Sequence, residues 1–164
     1  VDVTESLDTR APAEHLFSIV EDLADYPAWL TIVPVAEPLE VEVVPEDGDG
    51  RAVDGPAWSV ELRGRIGPLA RSKRLRMVRT RHEPPVAVRF ERHELDGREH
   101  SPWILEATIE ALGEGSRLTM HLHYGGGFGT SVLDRLLREE IERSRPRLAA
   151  LAEAGLPLPP ASAT

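Results

Sequence analysis

Residues 103–124, WILEATIEALGEGSRLTMHLHY, decide how the chain is read. Trp103, Leu105, Ala107 and Ile109 share one parity, with Glu106, Thr108 and Glu110 on the other. A period of two is that of a strand with one buried face. Gly113-Glu114-Gly115 fits a hairpin connection. The return arm repeats the alternation, with Leu118, Met120, Leu122 and Tyr124 on one side and Arg117, Thr119, His121 and His123 on the other. After Gly125-Gly126-Gly127-Phe128-Gly129 the period changes. From Thr130 to Ala154, Val132, Leu133, Leu136, Leu137, Ile141, Leu148 and Leu151 form the stripe of a long helix. Thr130 or Ser131 can cap its start and Gly155 its end. Pro146 predicts a bend or a division into two packed segments.

Working back toward the N-terminus, the period of two recurs. Val86, Val88 and Phe90 alternate with Ala87, Arg89 and Glu91. Residues 70–81 put Leu75 and Met77 in phase with Arg71 and Lys73, and Trp58, Val60 and Leu62 alternate with Ser59, Glu61 and Arg63. Val35 to Val44 is strand-like, and Pro45 to Gly50 and Gly64 to Pro68 read as a turn and a tight connection or bulge. Before these, Val1 to Asp8 predicts an edge strand, and Thr9-Arg10-Ala11-Pro12 a helix start. Leu16, Phe17, Ile19, Val20 and Leu23 give a helix over about 13–23. Asp25-Tyr26-Pro27 interrupts it, and Ala28-Trp29-Leu30 begins a second short helix or turn ending near Pro34.

A chain of 164 residues suits one domain, expected over 1–154, with the Pro- and Ala-rich 155–164 as a flexible tail. The absence of cysteine excludes disulfides and any thiolate mechanism. The opening residues carry Asp2, Glu5 and Asp8 and lack the pattern of a secretory signal, and no apolar run reaches membrane-spanning length. A cytoplasmic protein without stable membrane insertion is the expectation, as monomer or homodimer. Charge is uneven: residues 1–50 hold thirteen acids against Arg10, whereas residues 63–82 hold eight cations and no acid. That basic band is a contact surface or an Arg-bearing outer face balanced by neighbouring acids. The net charge of −9 and the lack of a nucleic-acid-binding fingerprint argue against a nucleic-acid partner.

Strands with one apolar face need a cover, and the closing helix has the stripe and the length to supply it. The expected fold class is α+β: a strongly curved antiparallel sheet of about seven strands wrapped around the long C-terminal helix, with two short helices after the first strand. The layout resembles the helix-grip fold of the START-related (SRPBCC) superfamily, polyketide cyclase/dehydrase and lipid-transport-like. Ala11-Pro12-Ala13-Glu14-His15-Leu16-Phe17 followed by Leu23-Ala24-Asp25-Tyr26-Pro27-Ala28-Trp29 is similar to the family's opening, and Leu122 to Gly129 before a Leu- and Arg-rich helix is similar to its close. The resemblance spans about residues 1–152 and implies an internal, mostly apolar cavity.

The candidate ligand-binding residues are Trp58, Arg71, Met77, Phe90, Trp103, Met120, Leu122, Tyr124, Leu133, Leu137 and Ile141, with Tyr26 and Trp29 at an entrance. The alternative for the apolar ones is a solid core. Arg71 and Lys73 would bind a carboxylate or enolate oxygen if their face points inward near an open end, and a one-residue bulge would turn both outward. His121 and His123 lie opposite the apolar face, and no further metal ligands stand at convincing spacing. No metal and no cofactor is expected. The leading reading is binding or transport of a small hydrophobic molecule: a lipid, isoprenoid or polyketide. A polyketide aromatase/cyclase-like enzyme is the rival, with Tyr124, Tyr26 and Arg71 as its tentative catalytic groups. A stress-associated or toxin-like interaction protein, using the basic band near Arg74 and Arg76, is the third.

Overall fold

The computed structural model describes residues 1–40, 55–66, 69–125 and 130–156. The chain runs β1 (Asp2–Thr9), α1 (Ala13–Val20), a 3-10 helix (Leu23–Ala28), β2 (Val35–Leu39), β3 (Ala57–Ile66), β4 (Leu69–Glu83), β5 (Ala87–Arg92), β6 (Trp103–Leu112), β7 (Gly115–Tyr124) and α2 (Thr130–Glu153). The strands form one antiparallel seven-stranded sheet in the order β1-β7-β6-β5-β4-β3-β2. The β6–β7 hairpin turns at Gly113, whose φ of 57° suits glycine.

The expectation of a strongly curved sheet wrapped around the helix is corrected. Among the described residues the sheet is open and is not strongly curved: β1 and β2 are its two edges and do not pair with each other. One helix does not have to be enveloped, because three helical elements share the cover. α1 lies on β6 and β7, the 3-10 helix on β2 and β3, and α2 on β1 and β3.

Four local expectations also change. α1 ends at Val20, and Asp25-Tyr26-Pro27 does not interrupt a helix but lies inside the next one. Asp22 starts that 3-10 helix by accepting a hydrogen bond from the Ala24 amide at 2.9 Å. β2 stops at Leu39, with residues 41–54, including the expected turn at Pro45 to Gly50, outside the described residues. Of the two readings of Gly64 to Pro68 the tight connection holds and the bulge does not: β3 ends at Ile66 and β4 begins at Leu69, and the two stay in register from Ala57 opposite Val78 to Ile66 opposite Leu69. The real irregularity lies between β4 and β5, at Arg79/Arg81. Pro146 does not divide α2, and Gly155, at φ 80°, follows its end. Gly67, Pro68, residues 126–129 of the glycine-rich stretch and residues 157–164 of the tail lie outside the described residues.

Candidate functional site

Strand parity builds the floor of a cavity. Val3, Glu5 and Leu7 of β1 stand opposite Leu122, Met120 and Leu118 of β7. These in turn face Leu105, Ala107 and Ile109 of β6. Val60 stands opposite Leu75, and Trp58 opposite Met77. Directly opposed residues share a face, so the rows form one largely apolar surface. α2 brings Leu137, Ile141, Ser144, Arg145 and Leu148 over it, at spacings that keep them on one side of a helix. Leu23, Tyr26, Trp29, Leu30, Ile32 and Val33 close another side. Between these elements remains a cavity of about 140 Å³.

Of the residues singled out from sequence, Met77, Trp103, Met120, Leu122, Leu137 and Ile141 line this space together with Tyr26 and Trp29. Trp58, Phe90 and Tyr124 are buried but stand behind the lining. The Trp58 indole donates to Asp22 Oδ1 at 2.9 Å, while Phe90 packs edge-on against both Trp58 and Tyr26. These contacts lock the 3-10 helix to the sheet. Tyr124 stacks on Trp103 with ring centroids 5.2 Å apart. Leu133 lies in α2 but its side chain falls outside the described residues.

The tentative catalytic groups are not brought together. The Tyr26 hydroxyl donates to the Val20 carbonyl at 2.9 Å, and burial, then the Asp22 carboxylate, push its ionisation well above the ordinary phenol range. Burial, with Asp134 next in effect, also raises that of Tyr124. Arg71 keeps the parity of Leu75 and Met77, since no bulge intervenes, yet it is exposed beside Gly64 and does not line the cavity. Lys73 is likewise exposed; partial desolvation, followed by the nearby Arg92 charge, pulls its ammonium pKa down, with Glu94 opposing.

Glu5, Ser144 and Arg145 are lining residues that the sequence reading did not single out. Glu5 occupies an inward parity in β1, which is why the alternation there looks imperfect. Arg145 stands 3.9 Å from Glu5 and 3.2 Å from Glu142 and donates to the Ser6 carbonyl at 2.8 Å. It ties α2 to the β1 edge. Val60, Leu62, Leu75, Leu105 and Leu118 follow the strand alternation and were legible as inward; Leu30, Ile32 and Val33 lie in a segment without any period.

On the outer face, His121 and His123 both hydrogen bond Asp2 Oδ1, at 2.9 and 3.0 Å. Among the described residues no group of three His, Asp or Glu side chains is placed to hold a metal ion. The basic band is largely engaged: Arg63 with Glu61, Arg81 with Glu83 and Glu106, Arg74 with Ser59, Arg76 with the His93 carbonyl and Arg79 with the Glu21 carbonyl.

A seven-stranded antiparallel sheet followed by a long C-terminal helix agrees with the comparisons. The sequence profile described as "Polyketide cyclase / dehydrase and lipid transport" matches residues 1–153. The chain belongs to this family. Its helix-grip fold is similar to that of a START superfamily protein from Mycobacterium smegmatis, at 17% identity and a TM-score of 0.64 over 93% of this chain and 97% of that one. A Thermus thermophilus protein gives 17% identity and a TM-score of 0.68, covering 96% of this family member and all of its own chain, 100%. One from Chromobacterium violaceum gives 16% and 0.60, covering 93% and 96%. Among curated protein sequences, none matches the chain. Among the described residues, no helix is long and apolar enough to cross a membrane.

Proposed function

We propose that this family member binds a small hydrophobic molecule in the cavity between α2 and the sheet. The observation that carries this reading is an apolar hollow of about 140 Å³ between α2 and the sheet. Cores normally leave few voids larger than a water molecule. Volume sets the scale of the occupant. Sites for drug-sized ligands run from about 300 to 1,000 Å³, whereas an apolar cavity of about 150 Å³ takes one benzene-sized molecule. The hollow therefore suits a single ring or a short branched segment. A whole lipid, isoprenoid or polyketide chain requires α2 to part from the β1 edge, where Arg145 bridges them.

The cyclase reading has less support, since the Tyr26 hydroxyl is committed to Val20 and Arg71 lies outside the hollow. The interaction reading has less as well, because neighbouring groups engage much of the basic band.

The test is saturable uptake of single-ring hydrocarbons by calorimetry, in wild type and in Leu137→Phe. Leu137 lines the cavity and is buried, so the larger ring occupies part of the space. The expected result is saturable binding in wild type and a loss of about tenfold or more in the variant, with thermal stability retained. No saturable uptake across a broad hydrophobic panel refutes the proposal.

A further inference from the structure

Just beyond the hollow, the inner face of the sheet carries two cations. In β4, Lys73 lies directly opposite Leu62 of β3, and Arg71 opposite Gly64. Leu62 and Leu75, the neighbours of Lys73 across the ladder and along the strand, both line the hollow. Residues that oppose each other or alternate by two share a face, so Lys73 stands on the side of the sheet that α2 covers. Gly64 places Arg71 there as well, because a methyl group added at Gly64 would meet Leu136 of α2. Both cations are exposed, and among the described residues neither has a hydrogen bond or an ion pair. Resting on the binding reading above, we propose that Lys73 and Arg71 hold the carboxylate of an amphiphilic ligand whose apolar part fills the hollow.

The surroundings favour an anion at this point. Arg92 and Glu94 are the charged groups that act on Lys73. Glu94 Oε1 is already shared between Arg92 Nε, at 2.9 Å, and the Arg76 amide, at 3.1 Å, and it makes no ion pair with Lys73. Partial desolvation and the Arg92 charge both work against the ammonium, and an arriving carboxylate offsets both. Lys73 and Arg71 stand two residues apart on one strand, a rise of about 7 Å. An ammonium on a long stem and a guanidinium fork can therefore converge on the two oxygens of one carboxylate. An ion drawn into the hollow itself would lose its hydration at heavy cost. At the exposed rim the head keeps water while the apolar part is buried. At the β1 wall Arg145 is already engaged by Glu5, Glu142 and the Ser6 carbonyl, and Glu5 repels a carboxylate, so the head is directed to the β3–β4 end.

Calorimetry on the full chain compares three compounds with one carbon skeleton: propylbenzene, phenylpropanol and the phenylpropanoate anion. All three are expected to bind, the carboxylate about fivefold or more tightly than the alcohol. The excess should shrink at high salt, as contacts between exposed charges do, and should disappear when Lys73→Met is combined with Arg71→Gln. Arg74→Gln is the control: Arg74 has the opposite parity in β4 and bonds Ser59, so the excess should persist there. The salt series on wild type carries the test even where a variant folds poorly. A carboxylate bound no more tightly than the alcohol overturns the assignment of the head. So does an excess that is insensitive to salt, that survives in the double variant, or that is lost equally in Arg74→Gln. In each of these cases saturable binding of propylbenzene leaves the container reading standing. Binding of none of the three compounds overturns both.

Discussion

Two fully buried tyrosines, 1% and 0% exposed, should respond in opposite ways to loss of the hydroxyl. α1 ends at Val20, whose carbonyl would ordinarily look to the amide of Ala24, but that amide is committed to Asp22 Oδ1. The Tyr26 hydroxyl fills the vacancy at 2.9 Å. Tyr26→Phe removes a hydrogen bond and strands the carbonyl in the interior, a cost of about 2 kcal/mol. For a domain of this size that lowers Tm by about 4–8 °C. The Tyr124 hydroxyl is buried without a partner among the described residues. Tyr124→Phe removes an unsatisfied polar group and keeps the ring stacked on Trp103, so stability should hold or rise by about 1 kcal/mol. Urea unfolding with unchanged m-values, alongside thermal melts, measures both. A Tyr124→Phe variant as damaged as Tyr26→Phe refutes the reasoning, because the Tyr124 hydroxyl would then have to be satisfied in the folded protein.

Gly115→Ala should cost about 1–3 kcal/mol in urea unfolding, as overpacking against a rigid group does: the new methyl would sit 2.3 Å from the Thr9 carbonyl oxygen. Gly64→Ala should cost less, since its methyl meets only the tip of Leu136, at 2.6 Å, and a side chain can rotate away. The β1–β7 seam should weaken in acid. A hydrogen bond from His123 holds the Asp2 carboxyl below its ordinary 3.8, and one from Arg117 does the same for Asp8. A depressed folded-state pKa means that the stabilisation is fully present above about 3.8 and is lost as pH falls through the folded value. Asp2→Asn with Asp8→Asn should therefore flatten the decline in stability between pH 4 and lower values, read by urea midpoints at each pH. An unchanged acid limb would count against this account.

The strands, the β6–β7 hairpin and the stripe of α2 were legible because each rests on local periodicity. The 3-10 helix was not. Its start depends on the Asp22 carboxylate serving both the Ala24 amide and the distant Trp58 indole, and Pro27 sits within it, beyond the first turn where a missing amide costs nothing. Parity likewise told which face of the sheet each residue occupies but not what covers it. Trp58, Phe90 and Tyr124 share the inward face with Met77, Leu105 and Leu122, yet other side chains stand between them and the hollow.

Alternation and helical spacing are properties of neighbours along the chain, so one strand's buried side and one helix's stripe can be read before any folding. The openness of the sheet, the 140 Å³ left beneath α2 and the two buried indoles that find no acceptor among the described residues are differences between volumes and donors supplied by segments far apart. They arise only when α1, the 3-10 helix and α2 divide the cover among themselves, and no stretch of sequence carries that division alone.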